Sequence, residues 1–395
     1  MKILVLGSGL MGPAAAYNCL QDPDVSEVAI ADMDQAQLDA CRAKLRPHPG
    51  SDRLRAVRHD LRDAAATVAL MRGFDAILGA LPHAASIMAI RAAAKAGVPI
   101  LDLSRLADEE VAMLRGELEA AGARVILGCG LEPGLTEIMT RYLAEQLDHV
   151  DEVHIKCGGI PEVPAPPLGY KIVFGGRRLP LQERDAWIVR EGRLEPVPRY
   201  SGVEPVRFVG VGECEAWHEG FMPWLLELPQ LRGLRLGTQK TVRWPGYAAK
   251  VTVLKELGLL SEEPLAIGGA EIAPKDYIDT LLYPKVRLEE GERDITVFRV
   301  EASGEKDGRP RRYTIEMIDR YDDATGFTSM ARTTAFTGAI VTRMLARGEI
   351  AATGAIPPEQ VITGPLLARL VRELAAAGVR FDLGVTRVDA LEIPG

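Results

Sequence analysis

A glycine-rich turn near the start of the chain is the feature that most constrains its fold. The turn spans residues 7–12 (GSGLMG), directly after the apolar run Lys2–Leu6 and before a helical segment. A strand, a Gly-x-Gly-x-x-Gly turn and a helix in this order are typical of the first βαβ unit of a dinucleotide-binding domain. In that unit Gly7 permits the tight turn, Gly9 lets the backbone approach a pyrophosphate, and Gly12 permits close helix–strand packing.

An acidic residue at the end of the second predicted strand indicates which dinucleotide is bound. Asp32 lies 20 residues beyond Gly12. A carboxylate at this position accepts hydrogen bonds from a ribose 2′-hydroxyl and repels a 2′-phosphate. Asp34 adds negative charge, and the nearest basic residue downstream is Arg42. The pattern therefore predicts NAD as the cofactor, with NADP less favoured. A glycine-rich turn that binds no cofactor is the alternative.

Short apolar runs alternate with helical segments throughout the first 130 residues. Strands alternating with helices at this spacing predict an α/β fold with a doubly wound parallel sheet. The six predicted strands are Lys2–Leu6, Glu27–Asp32, Arg55–Val57, Asp75–Leu81, Val98–Leu103 and Arg124–Leu127.

The second part of the chain has a different pattern. A strand-rich middle includes Ile295–Ala302 and Tyr313–Asp319, and the Gly-containing segment 304–308 between them has the composition of a hairpin turn. Helices are predicted over Thr333–Leu345 and Pro365–Ala377.

Ligands of doubly wound sheets bind at the carboxyl ends of the strands, so the cofactor contacts are expected there. For the residues after strands three to five, an ordinary loop role is the alternative. His83 follows strand four, near the expected nicotinamide position, and histidine can take or give a proton near neutral pH. A surface loop histidine is the competing interpretation. The predicted cofactor contacts are Gly7, Ser8, Gly9, Leu10, Met11, Gly12, Asp32, Asp60, Leu61, Ala80, Leu81, Pro82, Leu103 and Ser104.

Composition excludes several classes of partner. The chain of 395 residues has a formal net charge of −8, so no general field attracts it to nucleic acid or to anionic lipid. No uncharged apolar run reaches the ~18 residues of a membrane span. Five cysteines without a Cys-x-x-Cys pair predict a reduced, cytoplasmic protein rather than a disulfide framework. The six histidines show no ligand spacing, so no metal is predicted.

Four later segments resemble the saccharopine dehydrogenase family, and the last of them resembles its L-lysine 6-dehydrogenase branch. Together they span nearly the whole chain. The segments are 128–134 (GCGLEPG), 157–161 (CGGIP) with 166–170 (PPLGY), 240–250 (KTVRWPGYAAK), and 331–337 (ARTTAFT) with 357–359 (PPE).

The resemblance implies a domain organisation. It implies a Rossmann domain over residues 1–130 and an inserted α+β substrate and dimerisation domain over 131–335. Over 336–395 it implies C-terminal helices that return to the Rossmann domain. A homodimer or higher homo-oligomer is expected, because the sheet of the inserted domain often forms a subunit interface in the family.

The same resemblance marks a substrate pocket. Cys157 and Gly158 are expected to line it, and Cys157 has no neighbouring base that would make it a covalent nucleophile. Thr241 and Arg243 share one face of a strand, and a guanidinium suits an amino-acid carboxylate. A surface ion pair is the alternative for Arg243.

Proton transfer is assigned to three residues of the sequence. His83, Tyr247 and Lys250 are the predicted catalytic residues, although packing and solvation account for Tyr247 and Lys250 almost as well. Tyr247 stands where many family members have histidine, and Trp217–Trp224 (WHEGFMPW) replaces a small-residue loop of the lysine 6-dehydrogenase relatives. These departures indicate a more aromatic pocket.

The expected activity is NAD-dependent oxidative deamination of an amino-acid side-chain amine, with L-lysine 6-dehydrogenase as the preferred assignment. Once the amine nitrogen is uncharged, the carbon bound to it would pass hydride to the nicotinamide. Hydrolysis of the resulting imine would give a semialdehyde that cyclises. Saccharopine dehydrogenase, which acts on a secondary amine of lysine, is the alternative. A protein that binds NAD without catalysis is a third, minor alternative.

Overall fold

The computed structural model describes residues 1–174 and 176–388, and it divides the chain into two compact units. Unit 1 comprises Met1–Ile138 and Asp322–Val379. Unit 2 comprises Met139–Tyr321 and, of the described C-terminal residues, 380–388. Unit 1 therefore joins the first part of the chain to a segment from its second half, residues 322–379.

Unit 1 is built on a seven-stranded sheet in which every pair of neighbouring strands is parallel, in the order β17-β6-β5-β4-β1-β2-β3. Its strands are β1 (Lys2–Leu6), β2 (Glu27–Asp32), β3 (Leu54–Arg58), β4 (Ala76–Gly79), β5 (Ile100–Asp102), β6 (Arg124–Leu127) and β17 (Gly354–Ile356). Its helices are α1 (Gly12–Leu20), α2 (Gln35–Leu45), α3 (Ala64–Met71), α4 (His83–Ala96), α5 (Asp108–Ala120), α9 (Ser329–Ala346) and α10 (Gly364–Ala376). The doubly wound parallel sheet predicted from the sequence is confirmed.

Apolar runs without alternation explain the buried centre of this sheet. In β1 the residues Ile3–Leu6 are all buried, as expected for a parallel strand covered on both faces. Helix α9 is buried over nearly its whole length. Its Arg343 donates a 2.8 Å hydrogen bond to the carbonyl of Asn18 in α1 and forms ion pairs with Asp22 and with Glu373 of α10. The C-terminal helices are thereby fixed within unit 1.

Unit 2 is built on a nine-stranded mixed sheet in the order β10-β11-β12-β7-β15-β16-β18, with β8 pairing to β12 and β9 to β8. β12 and β7 are parallel, and the other pairs are antiparallel. The strands are β7 (His149–Pro161), β8 (Ala186–Arg190), β9 (Arg193–Val197), β10 (Glu204–Phe208), β11 (Gly212–His218), β12 (Leu236–Arg243), β15 (Asp294–Lys306), β16 (Arg309–Arg320) and β18 (Asp382–Arg387). A separate hairpin pairs β13 (Leu265–Ile267) with β14 (Ala270–Ile272), and the helices are α7 (Tyr247–Glu256) and α8 (Pro274–Val286). Helix α6 (Leu135–Ala144) spans the point at which the chain passes from unit 1 to unit 2.

The structure corrects three local predictions. β15 and β16 are longer than predicted, and only Asp307 and Gly308 connect them, both with positive φ as a two-residue hairpin requires. Helix α4 begins at His83, so this residue lies in the first turn of a helix rather than in the loop considered from the sequence. The segment Asp382–Arg387 forms an edge strand of the unit 2 sheet, although the predicted C-terminal domain contained only helices. Among the described residues, no helix combines the length and apolar character needed to cross a membrane.

Candidate functional site

The glycine turn of unit 1 has the shape of a dinucleotide cradle. A Cβ added to Gly7, whose φ is 93°, would overlap the carbonyl oxygen of Ala80, and one added to Gly12 would overlap the carbonyl of Gly7. A Cβ on Gly9 would meet only the Gln37 side chain, 3.7 Å away. Within the described chain, no protein acceptor takes the N–H groups of residues 9–11. These N–H groups at the start of α1 suit a pyrophosphate.

Asp32 is bound to the glycine turn. Its Oδ2 accepts hydrogen bonds from the backbone N–H of Ser8 at 2.7 Å and from the Ser8 hydroxyl at 2.9 Å, and its Oδ1 accepts the N–H of Asp34 at 3.0 Å. The carboxylate is thus held at the carboxyl end of β2, where a ribose is expected. Asp34 instead caps α2, accepting the N–H of Ala36 at 2.8 Å.

A basic residue that the sequence analysis did not select lies near Asp32. Arg58 ends β3 and pairs in register with Asp32, and its Nε donates a 3.4 Å hydrogen bond to the carbonyl of Met33. Arg58 is therefore closer to the expected ribose position than its place in the sequence indicates. A strand pairing that brings residue 58 beside residue 32 is the signal that would have identified it.

The other predicted cofactor contacts fall into two groups. Ala80 contacts the turn at Gly7, and the Ser104 hydroxyl donates a 3.5 Å hydrogen bond to the carbonyl of Leu81, so these residues share one edge of the sheet. Asp60, by contrast, forms an exposed ion pair with Arg62, which lowers the pKa of Asp60 to about 2. A cofactor contact at Asp60 stays a prediction. The turn, Asp32 and the ends of β4 and β5 fit a dinucleotide. Leu61 follows Asp60, and Pro82 and Leu103 directly follow Leu81 and β5.

Asp102 at the end of β5 is an acidic residue that sequence reasoning missed. Its Oδ1 accepts the N–H of Ser104 at 2.8 Å, and its Oδ2 has no hydrogen-bond partner in the described structure. Burial raises the pKa of Asp102 to about 7. A Cβ on Gly79 would lie 2.7 Å from this Oδ2, so glycine at the end of β4 makes room for the carboxyl group. The signal in the sequence was an aspartate at the carboxyl end of an apolar strand.

His83 lies at the surface of unit 1. About half of its side chain is exposed, and its Nε2 lies 2.9 Å from Oε2 of Glu110 in α5. Glu110 also accepts the N–H of Ala107 at 2.8 Å, so the acid that faces His83 is held by the first turn of α5. A proton-transfer role for His83 stays a prediction.

In unit 2 the buried guanidinium of Arg243 lies among aromatic rings, and we call this group the Arg243 cluster. The guanidinium carbon is 4.8 Å from the ring centroid of Tyr170 and 5.8 Å from that of Tyr247. Trp217 stacks on Tyr247 with an interplanar angle of 9°, and Tyr200 packs on Trp217 at 4.7 Å. Cations over aromatic faces are stabilised by the ring quadrupole.

Arg243 has no acidic partner among the residues that the structure describes. Its Nη1 donates a 2.8 Å hydrogen bond to the carbonyl of Val242, while its Nε has no acceptor and Arg243 forms no ion pair with any described residue. Only 5% of the residue is exposed. The surface ion pair considered as an alternative is therefore wrong. A buried cation without an anion is costly, which favours a ligand that supplies a carboxylate.

The residues predicted to line the substrate pocket are brought together around this cluster. Cys157 pairs in register with Thr241, on neighbouring parallel strands. A Cβ on Gly158 would overlap the carbonyl oxygen of Val242 and lie 2.8 Å from Nη1 of Arg243, so glycine is needed for the close approach of β12 and leaves room for the guanidinium. The Thr241 hydroxyl donates a 3.2 Å hydrogen bond to Glu219, which also forms an ion pair with Arg199.

The predicted catalytic residues of unit 2 differ in their surroundings. Tyr247 is fully buried in the Arg243 cluster, and burial raises the pKa of its hydroxyl well above the usual value. A protonated, stacked tyrosine fits the packing interpretation better than that of a proton acceptor. Lys250 is exposed one turn later on α7 and does not join the cluster. In residues 1–174 and 176–388 no group of three His, Cys, Asp or Glu side chains could hold a metal ion.

Comparison with known proteins gives the family. Models described as the saccharopine dehydrogenase NADP binding domain and the saccharopine dehydrogenase C-terminal domain match residues 3–126 and 130–379. Carboxyaminopropylagmatine dehydrogenase of Synechocystis sp. is 23% identical, with 93% of this chain and 95% of the relative covered. Carboxynorspermidine synthase of Vibrio cholerae is also 23% identical, with 93% and 94% covered.

A solved structure supports the same conclusion. Apo saccharopine dehydrogenase (L-Glu forming) from Saccharomyces cerevisiae superimposes with a TM-score of 0.79 at 19% sequence identity, and covers 98% of this chain and 99% of its own. At this identity the likeness shows the fold. Taken with the two matching domain models, it establishes that the chain belongs to the saccharopine dehydrogenase family of NAD(P)-dependent oxidoreductases.

Proposed function

We propose that this protein is an NAD-dependent oxidoreductase that makes or breaks the C–N bond of a secondary amine built on an amino acid. The observation that carries the proposal is the buried Arg243 guanidinium, which has no acidic partner in the described chain. A carboxylate of the substrate would satisfy its free Nε–H and neutralise its charge. An amino-acid skeleton brings such a carboxylate.

The names of the relatives favour a secondary amine. Carboxyaminopropylagmatine and carboxynorspermidine, from the names of two relatives, each join a carboxylate-bearing alkyl group to an amine through nitrogen. Saccharopine, from the name of a relative in Schizosaccharomyces pombe that is 23% identical, is also a secondary amine. This chain shares their family, and we infer a substrate of the same chemical class.

The chain's own residues bind and orient the reactants. The N–H groups of residues 9–11 and the Asp32 carboxylate would hold the pyrophosphate and a ribose, and bound nicotinamide supplies the hydride chemistry. Arg243 would fix the substrate carboxylate. The amine must be uncharged before hydride leaves its carbon, and the exposed His83 and Lys250 are the candidates for accepting that proton.

The choice of NAD depends on Asp32. Its carboxylate, held by Ser8 at the end of β2, would repel a 2′-phosphate. Arg58 on the neighbouring strand is the feature that would favour NADP. Because two hydrogen bonds from Ser8 fix the Asp32 carboxylate at this position, we propose that NAD is preferred.

L-Lysine 6-dehydrogenase is the second candidate. The segments 331–337 and 357–359, which resemble that branch of the family, favour it. Its substrate also has a carboxylate for Arg243 but a primary amine at the reacting carbon. A protein that binds NAD without turnover is the third possibility.

A substrate panel separates these candidates. Purified protein with NAD or NADP is supplied with carboxyaminopropylagmatine, carboxynorspermidine, saccharopine or L-lysine, and reduced nicotinamide is followed by absorbance. Turnover of one secondary amine with NAD supports the proposal. Turnover of L-lysine alone makes the protein a lysine 6-dehydrogenase, and NAD binding without turnover of any compound contradicts both.

A further inference from the structure

Glu215 lies opposite Arg243 on the neighbouring strand, but its carboxylate forms no ion pair with the guanidinium in the described structure. The two residues are in register in the antiparallel pairing of β11 with β12. Directly opposed residues share one face of a sheet, where an acid and a base normally attract each other. Glu215 instead accepts two backbone hydrogen bonds, from the N–H of Gly246 at 2.7 Å and from the N–H of Ala248 at 2.6 Å. No ion pair joins it to Arg243 in the described structure.

The start of α7 explains why Glu215 binds backbone N–H groups instead of Arg243. The helix begins at Tyr247, and its N-cap residue is Gly246, which has no side chain to accept an N–H group of the first turn. Helix N-termini need such acceptors and favour negative charge. Glu215, which is buried, supplies both from the neighbouring strand.

This cap fixes the position of Tyr247 and, through stacking, of Trp217 in the Arg243 cluster. It holds the turn 244–246 and therefore the first helical residue, Tyr247, whose ring lies beside the guanidinium and stacks on Trp217. A carboxylate bound to two N–H groups has less capacity to neutralise Arg243. The guanidinium is left with its unpaired Nε–H.

We propose that Glu215 is a positioning residue for binding of the substrate carboxylate. By capping α7 it holds Tyr247 against Arg243 and leaves the guanidinium available to an anionic ligand. The inference rests on the proposed function, in which Arg243 binds that carboxylate.

The test compares two probes that differ only in the carboxylate. L-Lysine and cadaverine present the same terminal amine, and their dissociation constants are measured by calorimetry on the full chain in the presence of NADH. In the wild type the ratio of the cadaverine to the lysine constant exceeds about ten. Arg243→Gln brings the ratio close to one.

Variants of Glu215 then decide the inference. Glu215→Ala lowers the ratio by about tenfold, because loss of the cap releases Tyr247 and the turn. Glu215→Gln, whose amide oxygen accepts one N–H, gives an intermediate ratio, and it carries the test if the alanine variant does not fold. Glu195→Ala, on the exposed strand β9, is the matched control and keeps the wild-type ratio. A wild-type circular dichroism spectrum and a cooperative urea transition show that the variants are folded.

The remaining outcomes are distinct. Glu215→Ala could weaken the binding of both probes equally, or it could leave the ratio of dissociation constants unchanged while Arg243→Gln brings that ratio to one. In either case Glu215 has only a structural role and the inference is wrong. If the wild type does not distinguish the probes, or if Arg243→Gln leaves the ratio unchanged, the carboxylate assignment of the proposed function is wrong, and this inference with it.

Discussion

Trp217 and Tyr247 stack on each other, with ring centroids 6.0 Å apart and an interplanar angle of 9°. These two residues lie at the two positions where the sequence departs from the family pattern. The departures are therefore one packing unit, in which the tyrosine ring that replaces histidine lies against the indole. The pair forms part of the wall around Arg243 and makes that wall more aromatic.

Returning position 247 to the family residue is expected to destabilise unit 2. Tyr247→His removes the stacked ring from a fully buried site and lowers the free energy of unfolding by about 2 kcal/mol. Urea unfolding measures the change. Tyr277→His, at an exposed tyrosine of the same unit, is the control and should change the value little. Equal stability of the Tyr247→His variant and the wild type would contradict the packing role.

Arg243 is expected to determine affinity for substrates with a carboxylate. Arg243→Gln removes the charge and the paired donors, and raises KM by about 100-fold. Arg243→Lys keeps the charge without the planar fork and gives an intermediate KM. The dissociation constant of NADH, which binds unit 1, stays unchanged in both variants. Steady-state kinetics with the best substrate measures the effect, and a wild-type KM for Arg243→Gln would be incompatible with the proposed role.

Asp102 is expected to make the protein less stable as the pH rises. Burial raises the pKa of Asp102 from 3.8 to about 7, so the folded protein retains a proton that the unfolded chain loses. The contribution of the Asp102 proton to the free energy of unfolding is therefore complete below pH 3.8, and it is lost progressively as the pH rises towards 7. The contribution is on the order of a few kcal/mol.

An amide at this position tests that assignment. Asp102→Asn cannot ionise, so its stability relative to the wild type should increase between pH 5 and pH 8. Urea unfolding of both proteins at the two pH values gives the comparison. Asp52→Asn, at an exposed carboxylate, is the control. A difference between Asp102→Asn and the wild type that does not depend on pH would refute the buried-acid interpretation.

Asp32 is expected to set the preference for NAD over NADP. Asp32→Ala weakens NAD binding and relaxes the rejection of NADP, so the ratio of kcat/KM values shifts by about tenfold or more towards NADP. Arg58→Gln, on the neighbouring strand, should shift the ratio in the opposite direction if Arg58 contacts a 2′-phosphate. Kinetics with both cofactors measures the ratios. Unchanged kinetics of Asp32→Ala would remove Asp32 from the ribose site.

Local sequence signals predicted unit 1 well. Strands β1, β2 and β6 have the predicted bounds, because continuous apolar runs mark them in the sequence itself. The edge strand β18 was missed because all its residues are exposed and its assignment depends on pairing with β16.

Only those residues of the candidate site that belong to a sequence motif were predicted. The glycine turn, Asp32 and Arg243 were identified from spacing or from resemblance. Arg58 and Glu215 were not, because the residues opposite them on the neighbouring strands, Asp32 and Arg243, are 26 and 28 residues away in sequence and are set by strand register. Asp102 was missed because burial, which gives it its unusual pKa, is a property of the folded chain.

We propose that the protein oxidises or forms a secondary amine of an amino acid with NAD. The most direct measurement is the rate of reduced nicotinamide formation with NAD and each of saccharopine, carboxynorspermidine, carboxyaminopropylagmatine and L-lysine. We predict that kcat/KM for one secondary amine exceeds that for L-lysine by at least about tenfold and is lost in Arg243→Gln. Turnover of L-lysine alone, or turnover of a secondary amine that Arg243→Gln leaves unchanged, would contradict the claim.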